Sequence, residues 1–374
     1  MFYGNWFGIV LIKFATEILK CWIFCFFCAS VANKIMSKVK SYLSLIKFSH
    51  TIFAMPFALI GFFIGLVYTD YNPFIDAWKN PNGVYQWNLN QSLGWNGDSQ
   101  ISNDSLLGKL ILAESSTGWL IVQYLILVIL CMVFARSAAM AFNRYLDRDI
   151  DAKNPRTALR EIPKGIITPQ NALIFTIVSC VLFIVTCFFI NRLCFYLSPV
   201  ALAVVLGYSF TKRFTPLCHL ILGLGLSLAP IGAYLAVTGQ FAFLPILFSI
   251  AVICWVSGFD IIYALQDEEF DKSQQLYSIP AWLGKAKALR VSESLHLFSA
   301  AAVAYAGYYG GFGWFYWIGV AVFIGMLIYQ HSVVKPNDLS KVNLAFMTAN
   351  GIASVVFAIF VIADLFINSP KTPL

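Results

Sequence analysis

Charge is what this 374-residue sequence has least of. Asp, Glu, Lys and Arg together make up only 11% of it, against roughly a quarter in ordinary soluble domains, while 59% is hydrophobic. Too few charges are present to clothe a water-facing surface, so a soluble globular fold is excluded. The alternating short strands of an outer-membrane barrel are missing as well, and apolar runs long enough to cross a bilayer as helices recur along most of the chain. An all-α polytopic membrane protein remains. A cysteine framework is also absent: nine cysteines are an odd number, and Cys131, Cys180, Cys187 and Cys254 sit inside apolar runs, where cysteine acts as a small hydrophobe. Cys25 and Cys28 have CxxC spacing but two Phe residues between them, a lipid-facing setting rather than a redox or metal one. Histidine is down to four, and His219, His296 and His331 lack metal-ligand spacing, which reads as structural or interfacial. The net charge of +7 does not imply nucleic acid, because the Lys and Arg residues lie in short loops beside apolar spans, where positive charge sets orientation.

Taken in order, the chain opens with an apolar stretch interrupted by Lys13, Glu17 and Lys20, so neither half reaches the roughly 20 residues of a span. It lacks a small-residue cleavage site of the A-x-A kind and is not read as a signal peptide. Met36-Ser37-Lys38-Val39-Lys40 looks like an ordinary basic start. We therefore expect residues 1–35 to be a dispensable extension or an upstream start-site artefact, and residues 36–374 to form the membrane domain. Spans are expected near 42–68, 118–142, 166–190, 194–210, 217–238, 241–265, 288–309, 312–334 and 344–367, about nine in all. The loop holding Arg144, Arg148, Lys153, Arg156, Arg160 and Lys164 is basic, as are the turns at Lys212-Arg213 and Lys335 to Lys341. These belong on the cytoplasmic side, and the polar 70–117 loop, poor in Lys and Arg, on the other.

Two acidic runs close apolar spans. In the first, Asn143, Asp147 and Asp151 are spaced i, i+4, i+8, so a continuing helix puts all three on one face. The second places Asp260, Asp267 and Asp271 on one face by the same reasoning. The shared D-x-x-x-D core is a weak internal repeat; four spans separate its copies, so the two halves run parallel. A single acidic run is often just a solvated helix end. Two of them, both facing the basic turn Tyr208-Ser209-Phe210-Thr211-Lys212-Arg213, call for a shared cation. Carboxylate and amide oxygens are the hard ligands that Mg²⁺ prefers, usually shared with substrate phosphates. A two-magnesium diphosphate site follows, with Lys212 and Arg213 at the phosphates.

Asn143-x₃-Asp147-x₃-Asp151, Tyr208-x₃-Lys212 and Asp260-x₆-Asp267-x₃-Asp271 together resemble the UbiA superfamily of intramembrane aromatic prenyltransferases. The run from Leu45 to Pro56, with Lys47 and His50, is similar to the first helix of its 4-hydroxybenzoate polyprenyltransferase branch. The resemblance implies about nine transmembrane helices around a central cavity open to lipid and capped by cytoplasmic loops. It makes Asn143, Asp147, Asp151, Asp267 and Asp271 the magnesium ligands. Arg148, Lys212, Arg213, Lys47 and Tyr263 become substrate contacts, and Asp260, Lys212 and Tyr208 the catalytic residues, with Asp260 polarising the acceptor hydroxyl.

The expected reaction is Mg²⁺-dependent transfer of a polyprenyl group from polyprenyl diphosphate to an aromatic acid such as 4-hydroxybenzoate, in quinone biosynthesis. The expected setting is the cell inner (plasma) membrane, in contact with membrane lipid, with a cytoplasmic active site. A dihydroxynaphthoate acceptor of menaquinone biosynthesis is the enzymatic alternative. An ion-coupled transporter is the rival outside enzymes, but transporters place such charges near the bilayer midplane, whereas these lie at one edge.

Overall fold

In a computed structural model of the protein, residues 41–45, 53–67 and 117–368 are described, with side chains from 121 onward in the last segment. The 1–35 extension, Lys47, His50, Cys25, Cys28 and almost all of the 70–117 loop lie outside them. The described chain is helical. Its long elements are α1 (Met55–Val67), α2 (Thr117–Leu146), α4 (Pro169–Ile190), α5 (Arg192–Thr211), α6 (Cys218–Thr238), α7 (Phe243–Ala264), α10 (Lys285–Tyr309), α11 (Trp314–Val333) and α12 (Asn350–Ile367). Short helices α3 (Arg148–Lys153), α8 (Glu268–Ser273) and α9 (Ile279–Leu283) lie in the loops.

Local chemistry sets several boundaries. Thr168 accepts a hydrogen bond from the Asn171 N–H, with Pro169 in the first turn of α4, and Asn191 caps α5 by accepting from the Cys194 N–H at 2.8 Å. Gly239, at φ +66°, ends α6 in the left-handed region. The N-terminus of α11 is capped from across the bundle: buried Asp364 of α12 accepts from the backbone N–H of Gly313 (2.7 Å) and of Tyr316 (3.3 Å).

Seven of the described helices are long and apolar enough to cross a membrane. The remaining two expected spans correspond to α1, which is apolar but shorter, and to α10, whose first turns carry Lys285, Lys287, Arg290 and Glu293. Lipid-facing stripes are plain: on α4, Ile174, Ile177, Val178, Val181 and Val185 recur at helical spacing and are all exposed. Helix α7 is central. Its membrane stretch is 67% buried within the protein, against 17% for that of α5.

The core around α7 is aromatic, with Phe57, Phe248, Trp255, Tyr316, Phe323 and Phe357 all fully buried. Glycines bring the backbones close. A Cβ on Gly61 of α1 would lie 1.9 Å from the Pro230 carbonyl oxygen of α6, and one on Gly223 of α6 would lie 2.6 Å from the Ile253 oxygen of α7. The described cysteines are all free. His296 and His331, read as structural, are bonded to each other at 2.8 Å between α10 and α11.

Candidate active site

Both acidic runs break their helices in the same way. Helix α2 stops at Leu146 and the six-residue α3 follows; Asp147 at the junction has φ −91° and ψ 8°. Helix α7 stops at Ala264, a 3₁₀ turn Leu265–Asp267 intervenes, and the six-residue α8 follows from Asp267 at φ −103° and ψ 4°. Both aspartates occupy the sparsely populated bridge region that active-site residues often use. The break at Asp147 still keeps helical register, since Asp147 N–H donates to the Asn143 carbonyl (2.9 Å) and Asp151 N–H to that of Asp147 (2.7 Å). The expected shared face of Asn143, Asp147 and Asp151 is therefore kept.

These two junctions line one cavity of about 270 Å³, together with the end of α5 and the start of α6. Asn143, Asp147, Asp151, Asp260, Asp267, Tyr208, Lys212, Arg213 and Tyr263 all line it. The runs meet directly, because Asn154, just after α3, donates from Nδ2 to Asp267 Oδ1 at 3.2 Å.

Every carboxylate of the D-x-x-x-D pairs has a cationic partner. Arg213 donates to Asp147 at 3.0 Å, and Arg160 grips both oxygens of Asp151 at 2.6 and 2.8 Å. Arg156 takes both oxygens of Asp267, bonds the Tyr263 hydroxyl at 2.7 Å and lies 4.9 Å from the centre of the Tyr263 ring. Lys212 meets Asp271 at 2.7 Å. Asp271 does not line the cavity: it is wholly buried behind Lys212, where Ser278 also donates to it at 2.9 Å.

Arg148, expected at the substrate, does not line the cavity either. Its guanidinium donates to the Tyr145 carbonyl at 2.8 Å, lies 5.0 Å from that ring's centre and approaches Asp149. The cationic positions near the acids are filled instead by Arg156 and Arg160, which in the sequence read only as orientation charges.

Burial raises the Asp147 pKa to about 6 despite the nearby Arg213. At Lys212 burial opposes the charge, but Asp271 outweighs it, and the pKa lies above the ordinary lysine value. Six cationic side chains line the cavity among the described residues (Arg136, Arg144, Arg156, Arg160, Lys212, Arg213), against the four carboxylates of Asp147, Asp151, Asp260 and Asp267. That surplus suits a polyanion.

Two further lining residues, Arg136 and His219, were not expected at the site either. Arg136 lies in the apolar part of α2, and its buried Nε has no partner. Its signal was legible: a lone arginine within a span marks function by default. His219 is buried at the start of α6 and hydrogen-bonds Asp260 Oδ2 through Nδ1 at 2.6 Å. Sequence spacing offers no hint of a pair 41 positions apart. Away from the charges, Leu222, Leu226, Val256, Phe259 and Phe346 make the wall apolar. Phe346 sits in the π-helical turn Leu344–Ala349 before α12 and packs on Tyr263, ring centres 4.3 Å apart.

No set of three or more His, Cys, Asp or Glu side chains among the described residues is arranged to hold a metal ion. The chemistry of the acidic set nonetheless fits a hard cation, since Asn143, Asp147, Asp151 and Asp267 offer carboxylate and amide oxygens to the cavity. The raised pKa of Asp147 marks a carboxylate that Arg213 alone does not fully compensate.

Comparison with known proteins follows the same lines. The model of the UbiA prenyltransferase family matches residues 105–352. A 4-hydroxybenzoate octaprenyltransferase of Saccharophagus degradans is 28% identical over 258 residues, covering 69% of this chain and 85% of its own. Among solved structures, a UbiA homologue from Aeropyrum pernix superposes with a TM-score of 0.62 at 26% identity, over 85% of this chain and 98% of that one. A UbiA homologue from Archaeoglobus fulgidus bound to DMAPP and Mg²⁺ superposes with a TM-score of 0.57 at 20% identity, over 87% and 99%. This multi-pass membrane chain belongs to the UbiA prenyltransferase family.

Proposed function

We propose that the protein transfers a polyprenyl group from polyprenyl diphosphate to an aromatic acid of the 4-hydroxybenzoate kind, with Mg²⁺ as cofactor, at the cytoplasmic face of the cell membrane. The observation that carries this is one cavity lined by acids and cations gathered from both halves of the chain and also by apolar side chains, with the buried Nε of Arg136 lacking a hydrogen-bond partner among the described residues. The name of the Saccharophagus relative and the ligands of the Archaeoglobus homologue support the same reading.

Asp147, Asp151 and Asp267, with Asn143, would hold Mg²⁺, and Asp271 would join them only once Lys212 turns away. Bound magnesium supplies positive charge to the departing diphosphate. Lys212, Arg213, Arg156 and Arg160 bind its remaining oxygens and stabilise the charge that grows there as the C–O bond lengthens. Arg136 receives the acceptor carboxylate, whose binding there gives the buried Nε the partner it lacks. Phe259, Tyr263 and Phe346 exclude water and present aromatic faces to the allylic carbon as it becomes cationic. The isoprenoid tail gains about 0.8 kcal/mol per CH₂ removed from water.

Asp260 accepts the acceptor's phenolic proton. The ring carbon beside that oxygen then bonds the first carbon of the prenyl chain, while the C–O electron pair leaves with diphosphate. Loss of the ring proton to water and return of the held proton to oxygen restore aromaticity, so one proton is released per turnover. Membranes containing the protein, given labelled polyprenyl diphosphate and single aromatic acids, test this: a labelled prenylated 4-hydroxybenzoate is expected. A labelled naphthoate instead would reassign the acceptor, and no labelled aromatic lipid with any acid would overturn the reading.

A further inference from the structure

We infer that His219 is a positioning residue for prenyl transfer: it holds Asp260 in place as the base that takes the acceptor's phenolic proton. The inference rests on the role given to Asp260 above. The backbone N–H of Ile279 approaches His219 Nε2 at 3.4 Å, which makes Nε2 the acceptor and leaves the proton on Nδ1. Nδ1 then donates to Asp260 Oδ2 at 2.6 Å. One carboxylate oxygen is thereby held in place, as a base needs if it is to meet the acceptor's hydroxyl in a fixed geometry.

The helices are built for this contact. His219, Gly223 and Ser227 recur every fourth residue on α6 and face Asp260, Ser257, Ile253 and Ser249 of α7. A Cβ on Gly223 would fall 2.5 Å from Ser257 Oγ, Ser257 donates to the His219 carbonyl at 3.1 Å, and Ser249 donates to that of Ser227 at 2.8 Å. The close helix crossing thus sets the imidazole against the carboxylate. His219 also touches the segment that carries Ser278, the partner of Asp271, so one chain of polar contacts runs from the acceptor side to Lys212.

The test compares His219→Leu, His219→Gln and Asp260→Asn in the full-length protein in membranes, with two acceptors. One is 4-hydroxybenzoate; the other is its 3-nitro analogue, whose hydroxyl ionises without help and which keeps a free ring carbon beside the oxygen. Rates are read as variant-to-parent ratios for each acceptor. With 4-hydroxybenzoate, His219→Leu is expected to lower kcat about 10- to 100-fold, the usual loss when a partner that orients a functional group is removed, while KM for the prenyl diphosphate stays at the parent value. With the nitro analogue the ratio should climb toward one, as it should for Asp260→Asn. His219→Gln, which can still donate to Asp260 and accept from Ile279, should recover most of kcat. If His219→Leu does not accumulate in membranes, His219→Ala takes its place in the same comparison. A His219 ratio unchanged between acceptors, beside an Asp260→Asn ratio that responds, would overturn the positioning role and leave the base standing. If Asp260→Asn does not respond either, the base assignment fails and the inference with it.

Discussion

Asp147 and Asp267 sit at matching turns, each bridging a long helix to a six-residue one and each held by an arginine. Both are metal ligands in the proposed site. Asp147→Ala and Asp267→Ala should therefore each abolish prenyl transfer while the protein still inserts in the membrane, measured by product formation against membrane-bound protein; full activity in either variant would remove the metal assignment. Arg136→Gln tests the acceptor end. Losing a charge-assisted hydrogen bond of about 1.5–3 kcal/mol should raise KM for the aromatic acid about 10- to 100-fold and leave KM for the diphosphate nearly unchanged, and an unaltered acceptor KM would contradict it. The acidic positions were legible because the helical repeat places i and i+4 on one face whatever the helix packs against. Which cation meets which acid was not. Arg156 and Arg160 reach back from the loop after α3, a fold-level path that no local spacing encodes, and Arg148, adjacent to Asp147 in sequence, bonds the Tyr145 carbonyl instead.

At the scale of elements, hydropathy located the helices well, since a 20-residue apolar run in a bilayer has no other way to satisfy its backbone. Their interruptions were less visible. The 3₁₀ turn after α7 and the π-helical turn before α12 shape the cavity wall, yet neither is marked by Pro or Gly within it. Glycines at crossings are the testable devices. Gly61→Ala would press a methyl group into the Pro230 carbonyl, which cannot rotate aside, and should cost about 1–3 kcal/mol; an unchanged unfolding temperature in detergent would contradict that packing. Asp364→Ala should cost a similar amount, about 1–3 kcal/mol, by leaving the N–H groups of Gly313 and Tyr316 without their acceptor. Because Asp364 lies at the opposite end of α12 from Phe346, this loss should appear in thermal unfolding with KM for both substrates unchanged.

Over the whole molecule, two halves of one chain each contribute an acidic junction, and the basic turn between them serves both: Arg213 meets the first and its neighbour Lys212 the second. That arrangement is what the weak repeat in the sequence implied, since equivalent points separated by an even number of spans return to the same side. Chelation of divalent metal should accordingly stop turnover without unfolding the bundle, whose core lies in aromatic packing around α7. The most direct test is a stoichiometric one. Purified full-length protein is given polyprenyl diphosphate and 4-hydroxybenzoate, with and without Mg²⁺, and both products are counted. One diphosphate released per prenylated aromatic acid, only when metal and both substrates are present, is the predicted result; diphosphate release without an aromatic product, or turnover unaffected by removing metal, would contradict it.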